Sequence, residues 1–144
     1  MPGEIFKAQG AIPEGPFTAG EALTKGDVVY VKESDGKIYQ ATNAIIDEPK
    51  YAVRETYASA AADVVIYGSG THITLKAKGS INPGALLIVG TTAAQGSEFS
   101  RATIPTPPGR TDVENVQKEY LKIVGRSVDK TTVTDGNDVR SVLK

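Results

Sequence analysis

Short runs of apolar residues alternate with glycine-containing turns along this chain, and one turn-plus-strand pattern occurs twice. LTKGDVVYV (residues 23–31) and INPGALLIV (residues 81–89) each contain an apolar residue, a turn ending in glycine and a run of β-forming residues. A short apolar run that follows a turn signal predicts a buried strand. We therefore expect strands at 28–32 and 85–89 in a mainly β fold.

Further strands are predicted wherever β-forming residues follow a turn signal. Asp35-Gly36 is a hairpin signal and predicts a return strand at 37–41. Apolar and polar residues alternate through 71–77, which is typical of a strand with one polar face. The other strands are expected at 51–57, 64–68, around 99–103, 121–128 and 138–144.

One helix is predicted, at residues 111–122. Thr111 and Glu114 have the spacing of a capping box, which satisfies free backbone N–H groups at a helix start. Val113, Val116 and Tyr120 fall on one helical stripe, so the helix is expected to pack on a sheet.

The two halves of the chain resemble each other beyond the first pair of strands. Asp63-Val64-Val65 and Asp138-Val139-Arg140 each open a late strand. The similarity indicates an internal duplication, with halves at 20–78 and 79–144, although turn-plus-strand patterns also recur by chance in β proteins. Either way, residues 20–144 are expected to form one small β-sandwich or β-barrel of short strands.

The N-terminal segment, residues 1–19, is expected to be an extended arm. Three prolines and three glycines interrupt it, which argues against a helix or a long strand. It nevertheless carries more apolar residues than a disordered tail usually has. The arm is expected to lie on its own body or on a neighbouring chain. Its candidate interface residues are Ile5, Phe6, Ile12 and Phe17.

Composition narrows the class of protein. The chain has 16 basic and 17 acidic residues, a balance that argues against a nucleic-acid-binding protein. It has no cysteine, which excludes disulfides and thiolate metal sites. Its N-terminus lacks the pattern of a secretory signal, and its apolar runs are too short to span a bilayer. We expect a soluble protein that is made in a cytoplasm and does not bind a membrane.

Candidate catalytic groups are few. His72 is the single histidine, and a triad would need it to meet a serine and an acid such as Ser69 and Asp63. No Gly-x-Ser-x-Gly pattern accompanies them. Asp47-Glu48 is an adjacent acidic pair, and adjacent side chains on an extended chain point apart. We therefore predict no enzyme, no catalytic residues and no small-molecule substrate.

Two loops have part of the pattern of a ligand-binding loop. YGSGTH (67–72) lacks the full glycine pattern and the following helix of a phosphate-binding loop. DGND (135–138) lacks the spacing and the distal glutamate of a calcium loop. Both are interpreted as turns, so no cofactor and no metal site are predicted.

The chain resembles the family of tailed-phage capsid cement, or head decoration, proteins. The resemblance is carried by AGEALTKGDVVYVKESDGKIYQAT (19–42), AKGSINPGALLIVG (77–90), IVGRSV (123–128) and DVRSVLK (138–144). It covers roughly residues 19–144. The predicted helix and the proline run at 105–108 have no counterpart in the family pattern.

This resemblance implies a non-enzymatic β protein of the virion that binds the outer surface of an assembled head. Such proteins usually form homotrimers at threefold or quasi-threefold positions, contact the major capsid protein and stabilise the shell. The resemblance also implies that an N-terminal arm makes capsid or subunit contacts.

Other functions fit the sequence as well. A tail- or fibre-associated β-domain would have a similar composition and a different attachment partner. A carbohydrate-binding module would need aromatic residues exposed on a sheet, yet the chain has no tryptophan and its six tyrosines are dispersed. A lipoyl-type carrier would need a modified lysine at a hairpin tip, and Lys37 lacks the expected flanking residues.

Overall fold

The computed structural model describes residues 2–100 and 106–144, which form two antiparallel β-sheets and one helix. The elements in chain order are β1 (Ile5–Lys7), β2 (Pro13–Phe17), β3 (Val28–Val31), β4 (Ile38–Gln40), β5 (Tyr51–Val53), β6 (Val64–Tyr67), β7 (His72–Lys76), β8 (Leu86–Val89), β9 (Gly96–Glu98), α1 (Arg110–Leu121), β10 (Ile123–Ser127) and β11 (Asp138–Leu143).

Each sheet is built from consecutive strands, except that β1 joins the sheet formed by β7–β11. One sheet has the strand order β2-β6-β5-β3-β4, and the other has the order β1-β7-β11-β10-β8-β9. Short strands separated by tight glycine turns therefore make two sheets. The prediction of a mainly β fold of the small sandwich type, with one short helix, is confirmed.

The two sheets share one topology. When the five strands β2–β6 are numbered 1 to 5 along the chain, their order across the sheet is 1-5-4-2-3. Strands β7 to β11 pair in the same order, and β1 is added at their edge. We call residues 13–67 the first repeat and residues 72–143 the second repeat. The internal duplication indicated by the sequence is thus present in the strand order.

Backbone contacts outside the strands repeat as well. Leu23 bridges Tyr57 in the first repeat, and Ile81, 58 positions after Leu23, bridges Val133 in the second. Each bridge consists of two N–H···O bonds of 2.8 or 2.9 Å. Such bridges hold the turn before the second strand of the repeat against the segment after its fourth strand, and so close the repeat over its core.

The division between the repeats lies between β6 and β7. Strand β2, in the segment expected to be an arm, pairs with β6, and β7 pairs with β11. The sequence pattern instead predicts halves at 20–78 and 79–144. Sheet membership depends on distant partners, which the linear pattern of apolar residues does not report.

Two buried clusters form the core. One cluster contains first-repeat residues alone, among them Leu23, Val29, Val53 and Ile66. The other contains the apolar residues of the second repeat together with three residues of the first repeat, which are Val28, Ala41 and Ala52. The second cluster is therefore also the contact between the two repeats.

The N-terminal segment lies on its own body as two short edge strands. β1 pairs with β7 and β2 pairs with β6, each with a register irregularity. Ile5 packs against the core of the second repeat, and Phe17 packs against that of the first. Of the two positions left open for the arm, the structure therefore shows the first.

Helix α1 begins one residue before the predicted start, and its cap differs from the predicted one. Gly109 is the N-cap, and its N–H donates to the Asp112 carboxylate at 2.9 Å. The capping box predicted at Thr111 and Glu114 is wrong because Thr111 lies inside the first turn. Tyr120 contacts the Phe99 ring, with centroids 5.4 Å apart, and no helix residue is fully buried.

The strand expected around 99–103 is displaced. β9 occupies Gly96–Glu98, in a stretch of small polar residues for which the sequence predicts a loop, and residues 101–103 lie outside the described part of the chain. β9 exists because it pairs with β8, from Leu87↔Glu98 to Val89↔Gly96. Its own residues carry little strand propensity.

Candidate interaction surface

The candidate catalytic histidine is held in a packing role. His72 is half-buried, its Nδ1 lies 3.2 Å from the Gly70 carbonyl oxygen, and its ring meets the Phe6 ring edge-on at 5.6 Å. The Arg140 guanidinium lies over the Phe6 ring, 4.3 Å from its centroid. These contacts use the imidazole for packing, and Ser69 and Asp63 are not its hydrogen-bond partners in the described residues.

The two candidate ligand loops are turns whose polar groups bond to other parts of the protein or to the turn itself. In YGSGTH, the Thr71 N–H donates to Gly68 O at 3.1 Å, and β7 follows directly. In DGND, the Asp135 carboxylate accepts the Gly79 N–H at 2.7 Å, so it fastens one loop of the second repeat to another. In residues 2–100 and 106–144, no three His, Asp or Glu side chains cluster in a way that could hold a metal ion.

Asp27 is the clearest perturbed carboxyl group. Its Oδ2 accepts the Thr24 N–H at 2.8 Å and the Gln40 side-chain N–H at 2.9 Å. Burial nevertheless raises the pKa of Asp27 above its usual value, against the lowering effect of these two bonds. Ala85 stands at the corresponding position of the second repeat, so the repeat does not need a carboxylate here.

Replacing Asp27 is expected to change how stability depends on pH. With a raised folded-state pKa, the native protein binds more protons than the unfolded chain between the two pKa values, so the free energy of unfolding falls as pH rises through that window. The Asp27→Asn variant should lack this fall. Chemical denaturation at a series of pH values measures the difference between variant and wild type.

Asp35→Asn is the matched control, with the opposite sign. Asp35 accepts the Lys37 N–H and the Tyr39 hydroxyl, and these bonds lower its pKa. The stability that depends on Asp35 should therefore grow as pH rises through its range. If the free energy of unfolding of the wild type rose with pH relative to that of Asp27→Asn, the assignment at Asp27 would be contradicted.

A row of four side chains crosses the outward face of the second repeat. Leu86 stands opposite Arg126, Arg126 opposite Val142, and Val142 opposite His72, so the row spans β8, β10, β11 and β7. We call it the outer row. Leu86 is 40% exposed and Arg126 is exposed.

The corresponding row of the first repeat is covered at Val28 and Ala52, while Tyr67 is half-buried and Pro13 is exposed. Val28 stands opposite Ala52, Ala52 opposite Tyr67, and Tyr67 opposite Pro13, across β3, β5, β6 and β2. We call it the inner row. Val28 and Ala52 are both 0% exposed because the second repeat packs over them.

Three surface grooves adjoin one another around the C-terminal residue Lys144, which lines all of them. The outer-row groove, of about 320 Å³, contains most of the outer row together with Ile123. The first-repeat groove, of about 300 Å³, contains Ile12, Glu14 and Lys50. Three of the exposed large apolar side chains, Ile12, Leu86 and Leu121, line these grooves.

Lys50 lines both the first-repeat groove and the third groove, which also contains Leu121. Its ammonium donates to the carbonyl oxygens of Ile46 and Glu48, at 3.2 and 2.8 Å. Burial lowers the pKa of Lys50, and the charges of Glu48 and Asp47 act in the opposite direction. The Asp47-Glu48 pair thus belongs to the surroundings of a half-buried lysine.

The four predicted interface residues have different surroundings. Ile5 and Phe17 pack on the core, and Phe6 packs on His72, while Ile12 is 69% exposed. Their part in an intermolecular interface stays a prediction. Sequence reasoning missed Leu86 and Arg126, although the alignment of the two repeats places them at the positions of Val28 and Ala52.

Comparison of the chain with protein-family models and with curated proteins finds no match. Within the part of the chain that the structure describes, no helix has the length and apolar character that a bilayer crossing requires.

Proposed function

We propose that this protein is a capsid decoration, or cement, protein. It binds the exterior of an assembled phage head through the major capsid protein, as a homotrimer at threefold or quasi-threefold sites, and it stabilises the shell. In this proposal the protein is not an enzyme, and its function lies in its surfaces.

The observation that carries the proposal is the group of exposed apolar side chains around Lys144. Ile12, Leu86 and Leu121 line adjoining grooves there. Adjoining apolar side chains exposed in this way mark an interaction surface more often than isolated ones do. The fold agrees with the β protein that the sequence resemblance implies. Many copies on one lattice would also turn weak single contacts into firm retention.

The test is binding to expanded phage heads that lack a decoration protein. The purified protein is mixed with heads, with tails or with buffer alone. The fraction of the protein that sediments is then compared among the three samples. Saturable binding to heads, with a higher temperature of DNA release from the decorated shell, is expected. Binding to tails and not to heads would instead support a tail-associated β-domain.

A point variant tests the arm better than a truncation does. Removing residues 2–17 would take away β1 and β2 and would expose both cores. Ile12→Ser leaves those strand contacts in place because the side chain is exposed. It should lower head occupancy, whereas Val113→Ser, which changes an exposed residue of α1 outside the grooves, should not. Equal occupancy of both variants would remove Ile12 from the interface.

A further inference from the structure

The two repeats contact each other head to tail and not face to face. Val28 and Ala52 lie on the face of the first sheet that points away from the core of the first repeat. They belong to the same buried cluster as Ile73, Val124 and Leu143 of the second repeat. The β8–β9 hairpin contributes as well, because Ala94 accepts the Val28 N–H at 3.0 Å and donates to Ala41 O at 2.9 Å. Different surfaces of the two repeats therefore meet in this contact.

A contact of this kind leaves one unused surface on each repeat. The outer row of the second repeat corresponds to the covered inner row, yet Leu86 is 40% exposed where Val28 is 0% exposed. In the first repeat, Glu14, Lys50 and Gly68 stand at the positions of Ile73, Val124 and Leu143, and they line the first-repeat groove. Each unused surface is the counterpart of one side of the internal contact.

The charges of the repeats are complementary. The first repeat has nine acidic and five basic residues, a net charge of −4, and the second repeat has nine basic and seven acidic residues, a net charge of +2. Arg126 lies in the outer-row groove, and Glu14 lies in the first-repeat groove, which also contains Lys50 and Lys144. Complementary charge steers association and fixes its orientation.

We propose that the outer row of one copy docks on the first-repeat groove of a second copy, repeating between chains the head-to-tail order of the repeats within a chain. Leu86 then contacts the exposed Ile12 of the neighbour, and Arg126 faces Glu14 of the neighbour. The inference rests on the proposed function, which sets the number of copies at three. It adds the identity of the two surfaces that meet.

The positions of the two surfaces favour a closed ring. A contact between two different surfaces gives a ring if the rotation between copies closes, and a filament if it does not. Lys144 lines both grooves, so the two surfaces adjoin on one side of the molecule. Surfaces on opposite sides would instead extend a chain of copies. In the ring, Lys144 of each copy lies near the axis.

Cross-linking between single-cysteine variants tests the orientation, because the chain has no cysteine of its own. Ile12→Cys protein and Leu86→Cys protein are mixed and treated with a short bis-maleimide. Covalent dimers are expected in the mixture and not in either variant alone. Dimers of Leu86→Cys with itself would show face-to-face contact and overturn the proposal. Val113→Cys, equally exposed on α1, replaces Leu86→Cys as the control and should give no dimers.

A charge reversal tests the pairing. Arg126→Glu should weaken self-association about tenfold or more in light scattering across a concentration series, because it places a carboxylate opposite Glu14 of the neighbouring copy. Lys130→Glu changes net charge equally from an exposed loop and should have little effect. Adding Glu14→Lys to Arg126→Glu should restore association. Failure of this rescue, or a wild-type protein that is monomeric at every concentration, would overturn the proposal.

Head binding separates this inference from the proposed function. Wild-type protein that cross-links head to tail and does not bind heads would support the docking inference and contradict the decoration function. Protein that binds heads and gives only Leu86-to-Leu86 dimers would support the function and overturn the inference.

Discussion

Alanine at Leu23 or at Ile81 is expected to lower the free energy of unfolding by about 3 kcal/mol in either case. Both side chains are essentially unexposed, and each precedes the same turn in its own repeat. The loss combines the transfer of apolar atoms to water with the cavity that the surrounding core cannot fill. Chemical denaturation monitored by tyrosine fluorescence and circular dichroism measures both variants.

Ile12→Ala is the control for this pair, because it removes a similar aliphatic side chain that is 69% exposed. It should change stability by no more than about 0.5 kcal/mol. The double variant Leu23→Ala/Ile81→Ala should lose roughly the sum of the single losses, since the two residues belong to separate buried clusters. A much smaller loss at one site would show that the repeats do not close over their cores in the same way.

Gly125→Ala is expected to cost about 2 to 3 kcal/mol through steric overlap. Gly125 lies in β10 between two strands, opposite Leu143 on one side and Leu87 on the other. A Cβ atom there would collide with the Val142 carbonyl oxygen and would lie 3.2 Å from Leu143 Cα. Backbone atoms in the middle of a sheet cannot move aside as a flexible side chain can.

Gly96→Ala provides the matched control in the same sheet. A Cβ at Gly96 would meet its nearest neighbour, Leu75 Cδ1, at an ordinary 3.8 Å. This variant should be within about 0.5 kcal/mol of wild type, or slightly more stable, because alanine restricts the unfolded chain. Thermal unfolding of the two variants side by side measures the difference in melting temperature. Equal melting temperatures would show that β10 and β11 lie farther apart than described.

The strands could be predicted from the sequence because apolar runs and glycine turns are local signals. Leu23, Gly26 and the run from Val28 matched Ile81, Gly84 and the run from Leu86, and the structure shows the same turn and strand at both places. β9 could not be predicted, since its three residues form a strand only by pairing with β8. The helix cap also failed, because residues 111 and 114 fit the motif as well as the true start at Gly109 does.

The candidate surface was only partly visible in the sequence. The sequence indicates the apolar residues of the N-terminal segment, but their burial depends on which strands they join. Leu86 lies in a run of four apolar residues, and such a run does not reveal which members face outward. Arg126 carries no motif at all. Its significance comes from the contrast with Ala52, and that contrast appears once the repeats are superimposed strand by strand.

The bridge that closes each repeat spans a different length of chain. Leu23 and Tyr57 are 34 positions apart, whereas Ile81 and Val133 are 52 apart, and most of the difference lies in the connection that carries α1. The entropy of loop closure grows only logarithmically with length, so the longer connection costs the second repeat about 0.4 kcal/mol. Added sequence is therefore thermodynamically cheap at this point of the repeat. The equivalent site in the first repeat is the exposed stretch at residues 42–44, which makes it the natural position for inserting a foreign peptide.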